Sequence, residues 1–174
     1  LVPLRDDRYD LEAMLDAVGP RTKIVYVCYP NNPTGTASSR AELDAYFAAV
    51  PDHVLTVIDQ AYFEYVDDPD YTDAVETYFR AGCNVLVVRT FSKIYGLAGL
   101  RIGYGIGPET LVHALSKVRR VFDMSTTSQE AALASLDGHG LQIRTIFNPF
   151  YNVAENVASC WMARHEMDRD FMLL

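Results

Sequence analysis

Hydrophobic and polar positions along this chain follow a pattern that predicts short strands separated by helices. Three runs rich in β-branched and aliphatic residues, 23–29, 53–58 and 84–89, have the composition of buried strands. A fourth strand is predicted at residues 100–106. The link before this fourth strand is too short for a crossover helix, so we expect it to run antiparallel to the third.

Apolar residues at helical spacing predict five helices, through residues 11–15, 43–47, 74–79, 111–118 and 131–136. Residues with capping chemistry precede three of them: Asp10, Ser39 with Glu42, and Thr127 with Glu130. Alternating strands and helices of these lengths predict the α/β class, with three layers (α/β/α) and a mostly parallel sheet that includes one antiparallel strand.

Composition and charge narrow the possible partners and the expected cellular location of this protein. The chain has 174 residues, of which 49% are hydrophobic and 22% charged, as is usual for a soluble globular protein. The net charge of −8 argues against nucleic acid as a partner, and we predict no metal site. No apolar run reaches membrane-spanning length, and the three cysteines suit a reducing compartment, so we expect a cytoplasmic protein without a membrane partner. The first residue is Leu1 rather than methionine, which predicts a piece of a longer protein.

Polar residues follow three of the predicted strands at the point where each one ends: Asn32, Asp59 and Lys93. Ligands of parallel sheets bind outside the carboxyl ends of the strands, so we expect these three side chains to share one site. Taken singly, each has a simpler interpretation, because asparagine and aspartate are common in turns and most lysines extend into solvent. Their coincidence at three strand ends favours a binding site.

Lys93 follows a buried strand and has Phe91 and Ile94 as close neighbours in sequence. Apolar surroundings disfavour the charged ammonium, which would leave a neutral amine able to attack a carbonyl. Arg101 lies eight positions later, and its guanidinium has the geometry to bind a phosphate. An amine for an aldehyde and a guanidinium for a phosphate together indicate a phosphorylated aldehyde, which is the chemistry of pyridoxal 5'-phosphate (PLP).

Three motifs resemble those of the class I and II PLP-dependent aminotransferases of fold type I. They are NNPTG (31–35), DQAY (59–62) and TFSKIYGLAGLRIGY (90–104). The opening LRDDRYDL (4–11) is similar to the histidinol-phosphate aminotransferase branch. The resemblance covers about residues 1–137. It implies that residues 1–138 are the central part of the large PLP-binding domain, whereas residues 139–174 are a divergent tail with the length for a helix.

The resemblance also implies a role for each candidate residue. Lys93 would bind the aldehyde of the cofactor and move a proton during catalysis, and Asp59 would pair with the ring nitrogen. The other implied cofactor contacts are Asn32 and Tyr62 to the ring oxygen, and Thr90, Ser92 and Arg101 to the phosphate. Taken alone, Tyr62 is better explained as a core aromatic residue whose hydroxyl is satisfied by the backbone.

The implied reaction is amino transfer between an amino donor and a keto acid. In the histidinol-phosphate branch, which belongs to histidine biosynthesis, the pairs are glutamate with 2-oxoglutarate and histidinol phosphate with imidazole-acetol phosphate. Family members are usually homodimers with sites at the subunit interface. Two alternatives remain open: another PLP reaction on the same scaffold, such as decarboxylation, and a non-catalytic fragment or PLP-sensing domain of a regulator.

Overall fold

The computed structural model describes residues 1–120 and 123–136, so the predicted tail lies outside the described residues. The strands are β1 (Ile24–Cys28), β2 (Leu55–Asp59), β3 (Val85–Thr90) and β4 (Gly103–Ile106). The α-helices are α1 (Leu11–Asp16), α2 (Arg40–Ala49), α3 (Glu109–Val118) and α4 (Thr126–Leu136). Shorter turns of helix are the 3-10 segments Phe63–Tyr65 and Ala98–Leu100 and the π-helical segment Val75–Phe79.

The four strands form one sheet in the order β1-β2-β3-β4. β1, β2 and β3 are parallel, and β4 pairs with β3 in the antiparallel direction. Cys28 pairs with Asp59, and Asp59 pairs in turn with Val88. The prediction of an α/β fold with a mostly parallel sheet and one antiparallel strand is therefore confirmed, and the carboxyl ends of three strands lie at one edge.

The two faces of β1 have different surroundings. Val25 and Val27 are buried, whereas Ile24 and Tyr26 on the opposite face are 59% and 47% exposed. The buried side chains belong to one core with residues of the neighbouring strands and helices, including Leu11, Leu43, Tyr46, Ile58, Val85 and Val87. Burial of apolar surface thus holds α1 and α2 against one face of the sheet.

A second, smaller core lies between α4 and the segment that follows β3. Phe91 and Ile102 are buried there together with Ala132 and Leu136 of α4. The Ser128 hydroxyl of α4 also donates a hydrogen bond of 3.1 Å to the backbone carbonyl of Leu100. This packing fixes both ends of the segment 91–102, in which the candidate lysine lies.

The local capping signals of the first two helices are confirmed. The Asp10 carboxylate accepts from the Ala13 N–H (3.1 Å) at the start of α1. At the start of α2, the Ser39 hydroxyl accepts from the Glu42 N–H, and the Glu42 carboxylate accepts from the Ser39 N–H. Both caps satisfy N–H groups that have no partner within the helix.

Two other predictions at the ends of elements are wrong. Ser125 rather than Thr127 caps α4, because the Ser125 hydroxyl accepts from the Ser128 N–H (3.1 Å) and the helix already includes Thr127. The fourth strand begins at Gly103 rather than at residue 100, because Arg101 has a left-handed backbone (φ +52°). The helix predicted through residues 74–79 is confirmed, as a π-helical segment in which the Arg80 N–H donates to the Val75 carbonyl five residues earlier.

The pairing of β4 with β3 leaves no room for a side chain at Gly103. A Cβ atom there would lie 2.7 Å from the backbone oxygen of Arg89. We expect Gly103→Ala to lower the free energy of unfolding by about 1 to 3 kcal/mol, because one of the two backbones must shift. Gly99→Ala is the control, since nothing lies within 4 Å of its Cβ position. Equal losses for the two variants in urea unfolding would contradict this placement of β4.

Candidate active site

The candidate site lies at the edge of the sheet where β1, β2 and β3 end. Asp59 is the last residue of β2, and Thr90 is the last residue of β3. Asn32 lies in the turn that follows β1, and this turn is closed by a backbone hydrogen bond of 2.8 Å from Asn31 to Thr36. The three strand ends that were predicted from the sequence therefore lie at one edge of the sheet.

Tyr62 connects the loops that follow the three parallel strands. The side-chain amide of Asn32, after β1, donates a hydrogen bond of 3.0 Å to the Tyr62 hydroxyl, after β2. The Lys93 Nζ atom, after β3, lies 4.8 Å from the centre of the Tyr62 ring, within the range of a cation–π contact. Three of the predicted site residues thus meet at one aromatic side chain.

Both carboxylate oxygens of Asp59 accept hydrogen bonds from this chain. The Ala61 N–H donates to Oδ1 (3.0 Å), and the Tyr26 hydroxyl donates to Oδ2. Tyr26 is a donor at neutral pH, and partial burial together with the bond to this carboxylate raises the pKa of its phenol. The sequence analysis missed Tyr26. The sequence carried no signal for it, because the contact depends on the strand register that pairs Cys28, two residues after Tyr26, with Asp59.

The residues predicted to bind a phosphate lie along one segment after β3. The Thr90 hydroxyl accepts from the Ser92 N–H (3.1 Å), which turns the backbone at the end of the strand. The exposed Arg101 donates from Nη1 to the backbone carbonyl of Ala98 (2.8 Å). Among the described residues, Ser92 and Arg101 form no side-chain hydrogen bond with Asn32, Asp59, Tyr62 or Lys93.

Lys93 does not have the apolar surroundings that its neighbours in sequence suggested. Its side chain is exposed, and Ile94 is 47% exposed, whereas Phe91 is buried in the second core. The expectation of a buried lysine is therefore wrong for this chain. The physical reason is that the segment turns after β3, so Phe91 faces α4 while Lys93 faces the open edge of the sheet, where its amine is accessible.

A partly buried polar network lies beneath the loop that contains Asp59. Arg89, on β3, donates from Nη2 to Gln60 Oε1 (2.8 Å) and to Asp73 Oδ1 (2.7 Å). Its guanidinium carbon lies 3.8 Å from the centre of the Phe63 ring. Gln60 is fully buried. The sequence analysis did not identify this network, although an arginine at the end of a buried strand was a signal for it.

The buried Tyr29 and the partly buried Tyr71 attach the same loop to the end of β1. The rings of Tyr29 and Tyr71 are stacked with their centres 4.3 Å apart, and the Tyr71 hydroxyl donates to the Tyr29 carbonyl (2.6 Å). The Tyr29 hydroxyl accepts from the Thr72 N–H (3.0 Å). Burial raises the pKa of both phenols. The loop after β2 is therefore held from β1 and from β3.

Residues 2–169 match the family model described as aminotransferase class I and II. This chain belongs to the class I and II aminotransferases. The resemblance carried by the three motifs is therefore confirmed at the level of the family. The boundary predicted between residues 138 and 139 lies outside the described residues and stays a prediction.

The relatives in this family are named for different substrates. The chain is 48% identical over 136 residues to a histidinol-phosphate aminotransferase from Geobacillus sp. (strain WCH70). It is 50% identical over 136 residues to an aromatic amino acid aminotransferase from Rhodococcus erythropolis. Each match covers 78% of this chain and 37% of the relative. The chain thus spans a little over one third of the length of these aminotransferases.

A solved aminotransferase structure shares the fold. Histidinol-phosphate aminotransferase from Sinorhizobium meliloti, determined in complex with pyridoxal-5'-phosphate, superposes with a TM-score of 0.72 at 40% identity. The superposition covers 79% of this chain and 37% of that one.

In residues 1–120 and 123–136, no helix has both the length and the apolar character to cross a membrane.

The hydrogen bonds of Arg89 should contribute measurably to the free energy of unfolding. We expect Arg89→Met to lower the free energy of unfolding by about 3 kcal/mol, because Asp73 and the buried Gln60 lose their charged partner. Arg80→Met is the matched control: its contact with Glu76 (3.0 Å) joins side chains that are 60% and 59% exposed. Loss of such a pair should change stability by less than about 1 kcal/mol. Similar urea midpoints for the two variants would contradict the network.

Proposed function

We propose that the protein containing this chain transfers an amino group between an amino donor and a 2-keto acid, with PLP as its cofactor. The observation that carries the proposal is the convergence of Asn32, Tyr62 and Lys93 at the carboxyl edge of the sheet, in a chain that belongs to the class I and II aminotransferases. Family membership gives the reaction class, and the geometry supplies an accessible amine beside polar groups.

The side chains at this edge fit the chemistry of PLP. Asp59 offers a carboxylate for the protonated ring nitrogen, and Lys93 offers an exposed amine for the aldehyde. The remaining groups would be Asn32 and Tyr62 at the ring oxygen, with Thr90, Ser92 and Arg101 at the phosphate. Arg101 has five N–H donors, so its bond to the Ala98 carbonyl leaves donors for an anion.

Each of these residues has a distinct task in the proposed reaction. When bound, PLP supplies an electron sink for the bonding pair that a substrate's α-carbon releases. Asp59 would keep the ring nitrogen protonated, since a nearby negative charge favours the charged form. Asn32 and Tyr62, already hydrogen-bonded to each other, would orient the ring. Lys93 Nζ would accept the proton from the substrate's α-carbon as a general base and deliver it to the C4′ atom of the cofactor as a general acid.

For the substrate, we propose the histidinol-phosphate type, in which glutamate and imidazole-acetol phosphate exchange an amino group. The relative from Geobacillus and the solved structure from Sinorhizobium meliloti support this choice. Aromatic amino acids are the second candidate, because the relative from Rhodococcus erythropolis is 50% identical. We also propose that the complete protein is a cytoplasmic homodimer, as the family resemblance implies.

Covalent labelling tests the assignment of Lys93. We expect the purified protein to form a PLP adduct that borohydride fixes and peptide mapping places on Lys93. The adduct should disappear in Lys93→Ala and persist in Lys117→Ala, which removes an exposed lysine of α3. An adduct of unchanged yield in Lys93→Ala would contradict the proposal.

Product analysis tests the reaction and the substrate. With glutamate as the donor, we expect 2-oxoglutarate to form with a higher kcat/KM for imidazole-acetol phosphate than for phenylpyruvate. Lys93→Ala should lower kcat by about 100-fold or more, because it removes the general base. The reverse order of kcat/KM would favour the aromatic substrates. Release of carbon dioxide without amino transfer would instead indicate a decarboxylase.

A further inference from the structure

The hydrogen bond between Tyr26 and Asp59 crosses two strands of the sheet. Tyr26 lies on β1, on the face opposite the packed core, and its hydroxyl donates to Oδ2 of Asp59 on β2. The parallel register makes this contact possible. It pairs Tyr26 with Val57 and Cys28 with Asp59, so the phenol extends along its own strand toward the end of β2.

Asp59 is held from two sides by this arrangement. The Ala61 N–H occupies Oδ1 (3.0 Å) while the Tyr26 phenol occupies Oδ2. A carboxylate has about four lone-pair positions, so two remain available for a further donor. With one donor fixed on each oxygen, rotation of the carboxylate would break a hydrogen bond, and the remaining acceptor positions keep a constant direction.

The contact is poorly explained by packing alone. Tyr26 is 47% exposed, and its neighbour Ile24 on the same face is 59% exposed, so the ring contributes little to the core. The chain offers a comparison in Tyr78, whose ring is buried and whose hydroxyl donates to Asp44 Oδ1 (2.9 Å) away from the candidate site. Tyr78 has a clear packing role, whereas the specific contact of Tyr26 is with the site carboxylate.

We propose that Tyr26 is a positioning residue for Asp59, and that its phenol holds the carboxylate in the orientation that accepts the protonated ring nitrogen of PLP. The inference rests on the proposed function, because it assumes that PLP is the ligand. A carboxylate that is already oriented needs no rearrangement when the ring binds. Residues that hydrogen-bond to a cofactor-binding side chain commonly fix its orientation in this way. Tyr26 is a donor at neutral pH, and partial burial together with the bond to Asp59 raises the pKa of its phenol further.

The decisive experiment compares two ligands that differ only at the ring nitrogen. Dissociation constants for PLP and for its deaza analogue, in which a C–H group replaces the ring nitrogen, are measured with wild-type protein and with Tyr26→Phe. We expect Tyr26→Phe to bind PLP about fivefold more weakly, which corresponds to about 1 kcal/mol or one hydrogen bond. The Tyr26→Phe change should leave binding of the deaza analogue unchanged, because this analogue has no ring N–H group to donate a hydrogen bond to Asp59.

Two further variants make the result specific. Tyr78→Phe also removes a hydroxyl that donates to an aspartate and should leave both dissociation constants unchanged. In an Asp59→Asn background, Tyr26→Phe should have no additional effect on PLP binding. Equal PLP binding by wild type and Tyr26→Phe, or equal weakening for both ligands, would overturn the role of Tyr26. These outcomes leave the adduct at Lys93 intact, whereas failure of the proposed function would show as loss of that adduct in the wild-type protein.

Discussion

The parallel pairing of β1, β2 and β3 is the constraint on which the site depends. Its register aligns Cys28 with Asp59 and Asp59 with Val88, so the strands end at nearly the same level. Because the three strands run in one direction, the loops that leave them emerge on the same edge. Residues that are 30 or more positions apart in sequence, such as Asn32 and Tyr62, therefore come within hydrogen-bond distance. A reversed β2 would remove Asp59 from this edge.

The two faces of the sheet support the site in different ways. On one face, apolar side chains pack against α1 and α2, and Arg89 joins Gln60 and Asp73 beneath the loop after β2. On the other face, Tyr26 reaches Asp59 across the strands. The first arrangement fixes the backbone of the loop, and the second fixes the carboxylate at its start. A site on an exposed edge gains its order from these contacts, since exposed groups by themselves are held weakly.

Lys93 differs from the sequence-based expectation in its exposure but not in its position. Its apolar neighbours in sequence suggested burial, but the side chain is exposed at the edge of the sheet. What supports the assignment is its position directly after β3, its contact with the Tyr62 ring and the membership of the chain in the aminotransferase family. A burial argument from neighbouring residues is weak wherever the backbone turns, because consecutive side chains then face different surroundings.

The sequence by itself determined the α/β class, the three strand ends and the caps at Asp10 and Ser39, because strand composition and capping are short-range signals within a few residues. It also indicated the family through three ordered motifs. Only the tertiary structure decided that Tyr26 contacts Asp59, that Arg89 joins the loop after β2 to β3, and that Lys93 is exposed. These contacts join distant residues, so they depend on strand register and on which face of the sheet is covered. Alternation of apolar and polar residues shows that a strand has two faces, but the packing of other elements decides what each face contacts.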